Sequence, residues 1–354
     1  RDYFVRDRLQ TIKNVQEVVS GQITGTLFDL PAGPLAFAVG GEHRREKLVT
    51  HDDGLSLSHA IDFIGLAVPR QPIDKGFTVN EGYGELRVPI LRDHRLLGSL
   101  EAEGALRISD YSSIGRTTTW NAAGTWAPIR QVRLRASWAR SVRAPNLVEL
   151  YGPRSISIVN FVDPCDAPRL GETTNRRANC AALGVPANFR DTFVGTTVTS
   201  GGNPDLKAET SNSFSVGGAV NFGPLNASID YFHIKLADAV TSFAADAIAT
   251  RCVDAKTIDN IFCKSIKIDT DGSLIAINSS LLNVARQETQ GIDFALDYAR
   301  QVGPGTLRIG GTATLLLQLE LQTDPNDPNT LVIQDGRFSN PRWLARQFAE
   351  YQIG

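Results

Sequence analysis

The stretch QVRLRASWAR, residues 131–140, alternates without a break. Val132, Leu134, Ala136 and Trp138 fall on one face of an extended chain, and Arg133, Arg135 and Ser137 on the other. One face suits hydrocarbon and the other suits water. The same period recurs. Leu100, Ala102, Gly104, Leu106 and Ile108 oppose Glu101, Glu103 and Arg107. Ile292, Phe294, Leu296 and Tyr298 oppose Asp293 and Asp297. Leu307, Ile309, Ala313, Leu315, Leu317 and Leu319 oppose Arg308, Thr312, Thr314, Gln318 and Glu320. Phe214, Val216, Val220 and Phe222 oppose Ser215 and Asn221, and Leu35, Phe37 and Val39 oppose Glu42, Arg44 and Glu46. In residues 227–236 the parity changes near Tyr231 and Phe232, the sign of a bulge.

The connections carry a second pattern. Tight turns fall at 30–34, 91–95, 128–131, 223–226 and 300–305. Between them lie connections at 50–77, 110–114, 141–207, 240–284 and 321–338, four of them long. This gives about eleven antiparallel strands of about 11–17 residues in an up-and-down meander, against about 5–6 for an ordinary strand. Short turns at one rim and long loops at the other is the layout of an outer-membrane barrel. Helical segments from Ala244 and from Asn175 sit inside long loops, so no helical layer covers the apolar face. Lipid is the simplest cover. Trp126, Phe222 and Tyr298 precede tight turns on the apolar parity, where an interfacial girdle belongs, whereas Phe28 falls on the polar parity.

Composition agrees. The 354 residues are 42% hydrophobic and 21% charged, with formal charge -2. That excludes a disordered tail and gives no reason to expect nucleic acid. No apolar run approaches the roughly 18 residues of a membrane helix. The chain holds no Met and opens in a polar segment, and it is expected to be a piece of a longer protein.

Two stretches carry a family resemblance. SVRAPNLVELYGP (residues 141–153) and NPDLKAETSNSFSVGG (203–218) resemble signatures of TonB-dependent outer-membrane receptors. Residues 20–46 and 281–298 are similar to supporting segments of that family. The resemblance implies a bacterial outer-membrane barrel of about 22 strands around a plug. It also implies import of a scarce or bulky nutrient with energy delivered by TonB. Siderophores, cobalamin and oligosaccharides are the expected ligand types. The plug and the TonB-contacting segment are expected to precede Arg1. Residues 1–354 then form one partial barrel domain, about half of the wall.

The four cysteines lie as Cys165 and Cys180 in one long loop and Cys252 and Cys263 in another. Three pairings are possible; pairing within each loop closes short rings and is expected, adding about 3 kcal/mol per loop. Zinc is the rival, without a CxxC or a nearby His pair. The chain has no GxSxG, HExxH or phosphate loop, and nothing calls for a cofactor. The five His, His43, His51, His59, His94 and His233, are scattered. His51-Asp52-Asp53 reads as a solvated loop start, and Asp269-Thr270-Asp271-Gly272 as a hairpin turn rather than a calcium loop. Glu42, Arg44, Glu46, Arg133 and Arg135 are expected on a wet inner wall.

By position, ligand contacts are expected in the long loops, with Tyr151, Arg154, Phe161, Arg176, Arg177 and Phe189 as candidates for stacking or anion pairing. Three rival readings remain: a passive porin, a barrel enzyme and a soluble β-rich binding protein. No Ser/His/carboxylate set at one strand end supports the enzyme.

Overall fold

A computed structural model describes residues 9–53, 72–192, 195–324 and 330–353. The expected connections at 50–77 and 321–338 lie partly outside the described residues, as do His59 and the side chain of Asp52. The strands are β1 (Gln10–Leu30), β2 (Gly33–Asp52), β3 (Asp74–His94), β4 (Gly98–Tyr111), β5 (Gly115–Ile129) and β6 (Val132–Arg143). They continue as β7 (Ser155–Val159), β8 (Thr196–Ser200), β9 (Glu209–Phe222), β10 (Leu225–Thr241), β11 (Ile266–Ile268) and β12 (Leu274–Asn278). The last four are β13 (Leu282–Val302), β14 (Gly305–Gln322), β15 (Leu331–Ile333) and β16 (Trp343–Ile353). Among the described residues three α-helices, α1 (Leu147–Tyr151), α2 (Arg176–Ala182) and α3 (Ala245–Asp254), lie in the long connections.

Twelve strands form one antiparallel wall in the order β1-β2-β3-β4-β5-β6-β9-β10-β13-β14-β15, with β16 also paired to β14. Apart from the three-residue β15, the wall strands run from 11 to 21 residues. Some are therefore longer than the 11–17 expected. The reason is visible in the rows of paired residues.

Cavities lie along the face that holds Arg133, Arg135, Ser228 and Asp297, and along Glu85, Arg107 and Asn121, so this polar face is the hollow side. The opposite face carries four or five apolar positions per strand. On β6 these are Val132, Leu134, Ala136 and Trp138; on β9, in register, Val220, Gly218, Val216 and Phe214. Above them the outward position turns polar on strand after strand: His43, Asn80, Asp110, Arg140, Asn212, His233, Gln290 and Gln318. The apolar band therefore spans about 7–9 residues per strand, close to the roughly 9–11 that a tilted strand uses to cross hydrocarbon. The remaining strand length rises past it towards the long-loop rim.

Aromatic side chains mark both borders of the band. At the tight-turn rim, Trp126 donates its Nε1–H to the Leu97 carbonyl at 2.8 Å, and the Tyr351 hydroxyl donates to Val302 at 2.8 Å. At the upper border Trp120 and Trp138 meet edge to face at 4.9 Å. The Tyr231 hydroxyl reaches Gln290 Oε1 at 2.8 Å.

Two readings of parity need correction. Tyr231 and Phe232 mark no bulge: β10 pairs with β9 without a shift from Leu225 to Ala237. The alternation changes there because the strand leaves the apolar band. The register shift against β13 comes later, between Leu236 and Ala239, where Asp238 adopts φ 57°. On β14, Leu319 does not share the face of Leu315. A one-residue bulge sets Leu316 opposite Gly291 and Gln318 opposite Gln290, which turns Gln318 and Glu320 outward and Leu319 and Leu321 inward.

Ion pairs cross the inner wall within the band. Arg135 forms a two-pronged pair with Asp230 at 2.7 and 2.6 Å, spanning β9 at Gly217. A Cβ on Gly217 would lie 2.0 Å from Asp230 Oδ1, so that position has to be glycine for the pair to form. Arg308 pairs with Asp297 at 2.8 Å, and Arg87 with Glu101 at 2.7 Å.

The two faces set a test in the full-length receptor refolded into bilayers. Leu296→Arg, at mid-band on the outer face, is expected to lower unfolding free energy by about 2–4 kcal/mol, and Asn212→Arg, above the band, by about 0–1. Denaturant titration measures both, and equal costs would contradict the assigned border.

Candidate functional site

The long connections 144–208 and 242–281 fold together above the wall. Their strands make a second sheet in the order β11-β12-β8-β7. The sheet joins the two loops, because β12 of the later loop pairs in parallel with β8 of the earlier one. Cys165 is bonded to Cys180 and Cys252 to Cys263, one bridge inside each loop. The bridges sit in a shared core with Ile248, Val253, Phe262, Val198 and Ile277. Asp269 and Ser273 close the turn between β11 and β12, as the hairpin reading expected.

Arg176 is 2% exposed and serves this core. It binds Asp254 of the other loop at 2.7 and 2.8 Å and also pairs with Glu172. Asn179 donates to the Val253 and Ala255 carbonyls. Hydrogen bonds from Arg169 and Arg176 hold the Glu172 carboxyl at about 2. Burial pushes Asp163 up to about 6, against the Cys165 N–H that donates to it, with Asp191 and Asp166 adding to the rise.

The candidates separate by position. Phe161 and Phe189 pack on the loop core, and Arg176 is given to the ion pairs above. Tyr151 packs partly buried beside Leu147 and Leu150. Arg154 and Arg177 are exposed. The structure does not bring these six residues to one point.

It does bring together two stretches that lie apart in the chain. Arg143 ends β6 and Glu209 starts β9, directly opposite in register. The Arg143 guanidinium donates twice to Glu209, both at 2.6 Å, and twice to Glu149 at 3.1 and 2.9 Å. Glu149 also closes the capping box of α1: Asn146 Oδ1 accepts from the Val148 and Glu149 amides, while Glu149 Oε2 accepts from the Asn146 amide. Glu209 further accepts the Val240 N–H at 2.7 Å. Burial alone would raise the Glu209 carboxyl, but Arg143 and the Val240 amide bring it below the usual range. The Asn203 amide donates to Glu149, and its side chain to the Leu281 carbonyl at 2.8 Å.

Beneath, Leu147, Leu150 and Leu206 pack on Leu48, Phe77 and Val79 of β2 and β3. Gly202 touches the chain at Gly152, where a Cβ would come within 2.4 Å of the amide nitrogen. One hub thus ties both loops to the wall. The Asn146-x-x-Glu149 spacing is a capping signal readable in sequence; the Arg143–Glu209 pair, 66 residues apart, is not.

A long antiparallel wall with loops folded over one rim is the build of a β-barrel receptor domain. The β-barrel described as TonB dependent receptor-like matches residues 1–354, and the chain belongs to that family. Its members are bacterial outer-membrane transporters, not enzymes. The fold is similar to the ferric enterobactin receptor PfeA of Pseudomonas aeruginosa, with TM-score 0.61 at 17% identity over 97% of this chain and 40% of that one. It is also similar to the siderophore receptor PirA of Acinetobacter baumannii, with TM-score 0.54 at 17% identity over 87% and 37%. A third match is the RagAB peptide transporter, with TM-score 0.51 at 12% identity over 90% and 32%. The chain thus spans 32% to 40% of the length of these neighbours.

The hub is testable in the full-length receptor. Arg143→Met leaves Glu209, whose side chain is 10% exposed, without its cation. It is expected to cost about 2 kcal/mol of loop stability. Hydrogen exchange should rise in residues 144–152 and 202–208 while the wall strands stay protected. Unchanged exchange there would refute the hub.

Proposed function

We propose that the chain forms part of the barrel of an outer-membrane receptor that imports a scarce or bulky nutrient using energy relayed by TonB. The observation that carries this reading is the pairing of a two-faced wall with a disulfide-tied loop cap at one mouth. A passive pore needs the wall alone. The outer membrane gives the apolar band its solvent, and the edges of β1 and β16 left unpaired among the described residues are where further strands would continue the sheet. The solved neighbours include receptors for siderophores and a peptide transporter, which supports import of a bulky solute and leaves its chemistry open. Arg154 and Arg177, exposed on the cap, are the members of the candidate set best placed to meet a solute arriving from outside.

The test is growth and uptake in cells carrying or lacking the full-length receptor, on a panel of iron complexes, cobalamin and oligosaccharides. Uptake of at least one solute is expected to require the receptor and to stop when TonB is removed. Uptake that continues without TonB would make the barrel a porin.

A further inference from the structure

Above the apolar band the outward rows of the wall carry charges, and most of them are answered within the wall. On β1 to β3, Glu17 lies 4.0 Å from Arg45 and Asp74 binds Lys47 at 2.8 Å, with Lys13 higher on β1. On β10 to β14, Glu288 takes His233 at 2.7 Å, Lys235 at 3.2 Å and Arg286 at 3.3 Å, and Glu320 stands opposite it in register. On β4 and β5, Asp110 stands opposite Arg116. Between these groups β6 presents Arg140.

Arg140 has no such partner. Its cross-strand neighbours are Trp120 on β5 and Asn212 on β9. The outward positions above it are Thr118, Val142 and Thr210. The guanidinium is exposed, and among the described residues it makes no hydrogen bond or ion pair. The outward rows of β4 to β9 thus hold Arg116 and Arg140 against Asp110, a surplus of one positive charge. The other cations near the mouth lie elsewhere. Arg133, Arg135 and Arg346 are on the hollow side, with the sheet between them and this row. Arg154 and Arg177 are on the cap, beyond the end of β6.

Directly below Arg140 lies the aromatic border. Trp138, 57% exposed and two residues earlier on β6, meets Trp120 edge to face, and Phe214 stands across from it on β9. A side chain one outward position above such a border sits at the depth of lipid headgroups. A guanidinium there gains most from an anion, since the hydrocarbon below it offers no solvation. We infer that Arg140 is a binding site for the phosphate of an outer-leaflet lipid headgroup. Two observations select this occupant: the uncompensated positive charge, and continuity with the band, where the acyl chains of the same lipid solvate Trp138 and Phe214. The guanidinium offers the phosphate oxygens two parallel N–H donors. Asn212, exposed and directly across from it, supplies a further neutral donor. The inference goes beyond the import reading and needs only that this wall lies in the outer membrane with its long loops outward.

The test uses the full-length receptor in neutral detergent. Native mass spectrometry compares retention of diphosphoryl lipid A, an uncharged diacylglycerol and inorganic phosphate. Saturable retention of lipid A over the other two probes is expected. Arg140→Gln should weaken it about fivefold, and Arg140→Lys should restore most of it. Asp110→Asn, which removes the carboxylate of this group, should tighten it. Heat-modified electrophoretic mobility checks that each variant keeps its wall.

Equal retention of lipid A by the wild type and Arg140→Gln overturns the inference. So does equal retention of the uncharged lipid, or saturation of the site by inorganic phosphate alone, which would make it an anion site without a lipid. Loss of self-association in Arg140→Gln with lipid retention unchanged also overturns it, and would make the row a contact between two copies. TonB-dependent uptake is measured separately, so failure here and failure of the import reading are told apart.

Discussion

The structure depends on one constraint. A chain crossing hydrocarbon finds no water for its amides, so each strand must hand its backbone hydrogen bonds to a neighbour and show lipid only apolar side chains. Alternation follows at once, because successive side chains of a strand point to opposite sides. Val132, Leu134, Ala136 and Trp138 meet this condition on β6, and their partners across β9 meet it in the same rows. Arg133 and Arg135 are tolerated because the same alternation turns them to the hollow side.

The constraint ends where the membrane ends, and the wall records the place. Above Tyr231, Ile292 and Leu315 the outward positions become His233, Gln290 and Gln318. β10 makes the change through its sequence, while β14 needs an extra residue, since its leucines keep their odd spacing through Leu315, Leu317, Leu319 and Leu321. The long strands are thus two walls in series. One is solvated by lipid on its outer face, and the other by water.

The alternation and the turn spacing made the wall legible in the sequence, and the eleven long strands follow from them. The bulge at Leu317 was not legible, because a leucine on every second residue reads as one continuous face. Nor was the second sheet: β7, β8 and β12 are five residues each and lie in loops whose partners are distant in the chain. The disulfides could be anticipated because each closes within one loop. Arg176 could not be assigned, since its partner Asp254 lies 78 residues away. A buried cation holding a core and an exposed one awaiting a ligand are the same letter in a sequence. The two stretches that carry the family resemblance have a physical basis in the hub, where Arg143 from one clamps Glu209 from the other.

Nitroxide labels placed singly along residues 226–236 of the full-length receptor in bilayers would probe this wall most directly. Collision with oxygen, which concentrates in lipid, should peak at 227, 229 and 231. At 233 and 235 it should give way to collision with a water-soluble nickel chelate. Oxygen maxima at 228 and 230, or no alternation at all, would mean that the faces are assigned the wrong way round or that β10 does not cross a membrane.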